Sequence, residues 1–147
     1  MYSRILLPTD GSETTDRALT HAIDLAKTYD ADLHVLYVID ATVFANDVET
    51  GTIVEEFETV GDRVVDRVAR EARDAGVDPT TTAVIRGTPH QRVLEYVDEF
   101  DVDIVVMGTH GRTGLDRYLL GSVTEKVVRL SDVPVLTVRQ NPSGGTD

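Results

Sequence analysis

Three glycines and one aspartate offer the clearest chemistry in this chain. Gly108, Gly111 and Gly121 punctuate the segment that begins Met107-Gly108-Thr109-His110-Gly111-Arg112-Thr113-Gly114 and reaches Gly121-Ser122 at the start of a helical pattern. Without a Cβ, backbone can approach an anion closely and aim its N–H groups at it. A helix start adds unsatisfied amides and the positive end of the helix dipole. Together these make a phosphate cradle. The same glycines would serve equally as turn residues, with Ser122 and Glu125 forming an ordinary capping box whose carboxylate already complements the helix end. Asp10, in Pro8-Thr9-Asp10-Gly11-Ser12, has a similar double reading. Its carboxylate can accept from a ribose hydroxyl, or it can cap the following helix with Glu13 three residues on.

The elements that must position these residues alternate along the chain. Apolar, β-branched runs at Ile5-Leu6-Leu7, Leu33 to Ile39, Ala83-Val84-Ile85, Ile104 to Met107 and Val135 to Val138 read as strands. Their near-continuous apolar character predicts burial on both faces. Helical spacing joins Ala18, Leu19, Ala22, Ile23, Leu25, Ala26 and Tyr29, then Ile53, Phe57, Val60, Val64, Val65, Val68 and Ala72. The second of these helices carries a charged outer face with Asp66/Arg70, Arg67/Glu71 and Arg70/Asp74 at i,i+4, and Gly76, Asp78 and Pro79 end it. Thr88, Pro89 and Gln91 predict a capped third helix with Val93, Leu94, Val97 and Phe100 as its stripe; the fourth holds Val123, Val127, Val128 and Leu130.

A β-α-β-α-β-α-β-α-β order calls for an open five-stranded parallel sheet with helices on both faces, because parallel strands need crossovers. Ligands of such sheets sit beyond the carboxyl ends of the strands, where strand order reverses. The long glycine segment follows strand four, whereas strand three is followed only by Arg86-Gly87-Thr88. The expected order is therefore 3-2-1-4-5, a Rossmann-like α/β fold with the crevice between strands one and four. Residues 1–140 read as a single domain, and residues 141–147, with Pro, Ser and paired Gly, as a disordered tail.

The pattern Gly108-x2-Gly111-x9-Gly121-Ser122 resembles the ATP-binding signature of the universal stress protein family. Ile5 to Asp10, Val35 to Asp40 and Val133 to Val138 are similar to that family's first, second and last strands, so the resemblance spans nearly the whole chain. It implies the fold shared with the adenine-nucleotide α-hydrolases and ATP as ligand, with Mg or Mn as a candidate companion of the phosphates. By resemblance, Asp10 and Gly108 hold the ribose side and the backbone at Val38 recognises adenine. Gly111, Gly121, Ser122, Val123 and Thr124 surround the phosphates, and Pro8, Thr9, Met107, His110 and Arg112 complete the nucleotide surface. Thr109 stands where serine is frequent in the family. A homodimer through the last strand, Val133 to Val138, is implied as well.

Composition excludes several alternatives. Net charge is −12, from 26 acidic against 14 basic residues of which only Lys27 and Lys126 are lysine, which argues against a nucleic-acid partner. Such an acidic, Arg-over-Lys surface suits concentrated salt, where repulsion is screened over roughly 3 Å at 1 M. No cysteine is present, and the four histidines show no close ligand spacing. The first apolar run is closed by Pro8, too short for a signal core or a membrane span, so a cytoplasmic protein is expected. Neither a Walker loop nor a Gly-x-Gly-x-x-Gly fingerprint occurs. Asp10 and His110 are the only helpers available for hydrolysis, so the expected role is a nucleotide-dependent regulator or sensor in stress response. Slow ATP hydrolysis is the alternative.

Overall fold

The computed structural model describes residues 1–40, 50–109 and 121–139. Five strands, β1 (Arg4–Pro8), β2 (Asp32–Asp40), β3 (Thr80–Gly87), β4 (Ile104–Gly108) and β5 (Val135–Val138), alternate with four helices. These are α1 (Glu13–Tyr29), α2 (Thr50–Asp74), α3 (Pro89–Glu99) and α4 (Ser122–Leu130). The sheet is parallel throughout, in the order β3-β2-β1-β4-β5. This is the expected Rossmann-like topology, with its reversal between β1 and β4.

Side chains alternate across the pleat and so divide the core in two. Ile5, Leu7, Leu33, Val35, Ile104 and Val106 meet Ala18, Leu19, Ala22 and Ala26 of α1 and Val65, Val68 and Ala72 of α2. Leu6, Leu36, Val105 and Met107 meet Val93, Tyr96 and Val97 of α3 and Val127 of α4. Ile5, Leu6 and Leu7 are fully buried on opposite faces of one strand, each such side chain contributing about 1.5–3 kcal/mol. The central strands β1, β2 and β4 are thus fully packed on both sides, whereas β3 and β5 reach both clusters only at their margins, through Val84 and Val138 on one face and Ala83, Ile85 and Val135 on the other. They form the sheet edges, and most of their side chains are half-buried or exposed, contrary to the expectation from their apolar runs.

Several apolar residues assigned to helix stripes also lie outside the core. Val60, Phe100, Val128 and Leu130 are exposed, and Tyr29 closes α1 against Tyr2, ring centroids 5.1 Å apart. Thr88 does cap α3 in backbone conformation, with Pro89 in the first turn, but its hydroxyl makes no capping bond. The charged face of α2 is solvated as expected: Arg67 reaches Glu71 at 3.3 Å and Asp16 of α1 at 3.5 Å. No described helix is long and apolar enough to cross a membrane.

Candidate functional site

At the topological switch point the chain leaves β1 through Thr9, whose amide donates to the Leu36 carbonyl at 2.8 Å. Thr9 is buried, and its Oγ1 accepts from the Gly11 amide at 3.0 Å. Gly11 has φ 81°, a conformation glycine adopts without penalty, and this tight turn delivers Asp10 to the end of the sheet. Asp10 does not cap α1. Ser12 occupies the cap position, without a side-chain capping bond, while Asp10 Oδ1 accepts the Ser12 amide at 2.9 Å and the buried Thr15 hydroxyl at 3.4 Å. The Asp10 carboxylate therefore supports the turn ahead of the cap instead of forming a capping box.

Across the switch point, β4 ends at Gly108, and three bonds fasten this end of the strand. The Thr109 amide donates to the Val138 carbonyl at 3.0 Å and the Gly121 amide to the Thr109 carbonyl at 2.6 Å. The Thr124 hydroxyl donates to the Gly108 carbonyl at 2.8 Å. The first ties the strand end to β5, and the other two set the start of α4 directly against the end of β4.

The cap of α4 is Gly121, not Ser122. Ser122, Val123 and Thr124 are thus the first three helical residues, and the Ser122–Glu125 capping box, the alternative to a phosphate cradle, does not form. A glycine cap has no side chain to satisfy the first amides, which have no carbonyl one turn back. Glu125 does not compensate either. Its carboxylate turns along the helix to Arg129, 2.8 Å from Nε, and that hydrogen bond lowers its pKa. The geometry suits an anion: a helix dipole end whose cap residue offers no side-chain bond, and a carboxylate drawn away from it.

Of the residues singled out from sequence, Asp10, Gly108 and Gly121 to Thr124 border this switch point, with Pro8, Thr9 and Met107 beside them at the ends of β1 and β4. Val38 is half-buried in β2, two residues past Leu36, which lies opposite Pro8. His110, Gly111 and Arg112 lie outside the described residues. Sequence reasoning misses Gly11 and Thr15, although a glycine after the aspartate and a hydroxyl three residues after the cap are signals of a supported turn.

A model of the universal stress protein family matches residues 1–139. The universal stress protein MJ0531 of Methanocaldococcus jannaschii is 36% identical over 143 residues, covering 95% of this chain and 84% of that protein. The solved structure of MJ0577, a universal stress protein of the same organism, superposes with a TM-score of 0.85 at 33% identity, covering 97% of this chain and 99% of that one. A universal stress protein solved in complex with cAMP shares the fold, with a TM-score of 0.72 at 24% identity over 95% of this chain and 98% of that one. A family match over almost every residue, on a sheet of the expected order, leads to one conclusion: the chain belongs to the universal stress protein family.

Proposed function

We propose that this protein binds ATP at the β1–β4 switch point and acts in the cytoplasm as a nucleotide-dependent regulator or sensor of stress. The observation that carries this reading is the glycine-capped start of α4, held against Gly108 across the switch point from the Asp10 turn. Asp10 and Gly108 take the ribose side, and the Val38 backbone reads adenine, with Pro8, Thr9 and Met107 forming the floor. The amides of Ser122, Val123 and Thr124 receive the phosphates, joined by Gly111, His110 and Arg112. A relative of the same fold was solved with cAMP, an adenine nucleotide, which supports the ligand class.

No three His, Asp or Glu side chains converge on a metal position among the described residues. In this reading an Mg or Mn ion arrives with the phosphates, which neutralise it. The second component of the proposal is a homodimer formed through β5, whose outer edge pairs with no strand among the described residues. An unpaired apolar edge is a liability that proteins cover, and a two-fold contact would extend the sheet across both subunits.

Calorimetric titration in molar salt with ATP, AMP and adenosine tests the binding. ATP should bind, and Gly111→Val should weaken it about tenfold or more by obstructing close approach of phosphate. Absence of binding by all three ligands would overturn the proposal.

A further inference from the structure

We infer that the Thr124 hydroxyl is a positioning group of this site: it locks the first turn of α4 to the end of β4 and thereby aims the helix amides, that of Thr124 included, while the hydroxyl does not touch the ligand. The inference rests on the nucleotide reading above and goes beyond it by separating two halves of one residue. Family resemblance groups Thr124 with the phosphate contacts, yet the residue is only 5% exposed and its Oγ1 donates 2.8 Å to the Gly108 carbonyl. A hydroxyl has a single proton to donate. That proton is directed into the sheet, not out toward the crevice.

The bond crosses sixteen residues of sequence and joins the third residue of α4 to the last residue of β4. One residue on, the Thr109 carbonyl accepts the Gly121 amide at 2.6 Å. Two successive carbonyls at the strand end are thus each held by the start of α4, one by backbone and one by side chain. Two adjacent ties fix a direction where one would leave a pivot. Val127, one turn further along, is fully buried and anchors the helix body, so the Thr124 bond governs the tilt of the first turn. Small angular errors there matter, because hydrogen bonds weaken steeply away from linear geometry.

The test compares Thr124→Val, which keeps the shape and removes the hydroxyl, with Thr124→Ser, which keeps the hydroxyl. In the ligand-free protein, hydrogen exchange at the Gly121 and Glu125 amides should quicken about tenfold or more in the Val variant and stay within about twofold of wild type in the Ser variant. Titration of the folded variants should show ATP affinity reduced about tenfold in Thr124→Val, adenosine affinity within about twofold of wild type, and Thr124→Ser close to wild type for both. Should the Val variant fail to fold, Thr124→Ala takes its place with the same expectations. Unchanged exchange and unchanged ATP affinity without the hydroxyl would overturn the inference, as would an equal loss of ATP and adenosine, or a Ser variant as weak as Val. A wild type that binds no nucleotide overturns the underlying proposal instead, and the two failures are thereby distinguished.

Discussion

Gly61 of α2 lies against the ring of Tyr37 on β2, so close that a Cβ at this position would stand 2.8 Å from Tyr37 Cδ1 and 2.9 Å from Val84 Cγ1. The missing side chain is what lets a 25-residue helix rest on the outer part of the sheet. Alanine would favour the helix by about 1 kcal/mol, but overpacking a filled site costs about 1–3 kcal/mol, and Tyr37 is buried. Gly61→Ala should therefore lower the urea midpoint despite its better helix propensity, and Gly61→Leu should lower it further. An alanine variant more stable than wild type would show that α2 moves outward freely.

His34 and Tyr96 form a buried polar pair, Nδ1 and the hydroxyl 2.6 Å apart, with Phe100 against both rings. Burial lowers the His34 pKa below the ordinary 6.5, opposed by Asp32 and assisted by Arg4. Burial also raises the Tyr96 pKa, with the Glu99 charge assisting, so both rings stay neutral at physiological pH. A histidine held neutral in the fold binds fewer protons than in the unfolded chain as pH falls below 6.5. Its stabilising contribution is present above that value and is lost as pH falls toward the folded pKa. The urea midpoint should drop as pH falls below 6.5, and His34→Gln should flatten the drop. A variant with an undiminished acid slope would assign the effect to other groups.

Salt should stabilise this protein. Raising ionic strength from about 0.1 M to about 1 M shortens the screening distance from about 10 Å to about 3 Å, relieving repulsion among 26 acidic residues opposed by 14 basic ones. It also weakens the exposed ion pairs Arg67–Glu71, Arg67–Asp16, Arg92–Glu95 and Arg129–Glu125. Each of those is worth only about 0–1 kcal/mol, so the net repulsion decides the sign. Thermal melts should shift upward with potassium chloride, and ATP affinity should not fall. A flat series would remove the halophilic reading.

Two residues of β5 should separate assembly from folding. Leu136 is 36% exposed, whereas Val138, on the same face, is 5% exposed and packs in the core with α1. Sequence alone treats a charge at either position as equally disruptive to a dimer. In the folded chain, Leu136→Asp should leave a stable monomer, while Val138→Asp should unfold the subunit, since a buried unpaired charge costs several kcal/mol. Light scattering with a parallel melt reads both. A wild type of single-subunit mass across micromolar concentrations would sink the dimer.

Hydrophobic period and Gly/Pro punctuation are local properties, and from them the element order, the parallel sheet, its 3-2-1-4-5 arrangement and the turn at Asp10 were all legible in the sequence. Burial of the edge strands was not, because an apolar run carries no information about how many neighbours it will have. Nor could sequence decide the caps. Ser122 with Glu125, and Asp10 with Glu13, both satisfy the spacing of a capping box, yet Gly121 and Ser12 hold the cap positions. A cap is set by where the chain enters the helix, and at α4 that entry is imposed by the carbonyls of Gly108 and Thr109, which only the folded sheet brings within reach. The same holds for Thr124, whose type was visible from the start but whose direction was decided by Gly108, sixteen residues away.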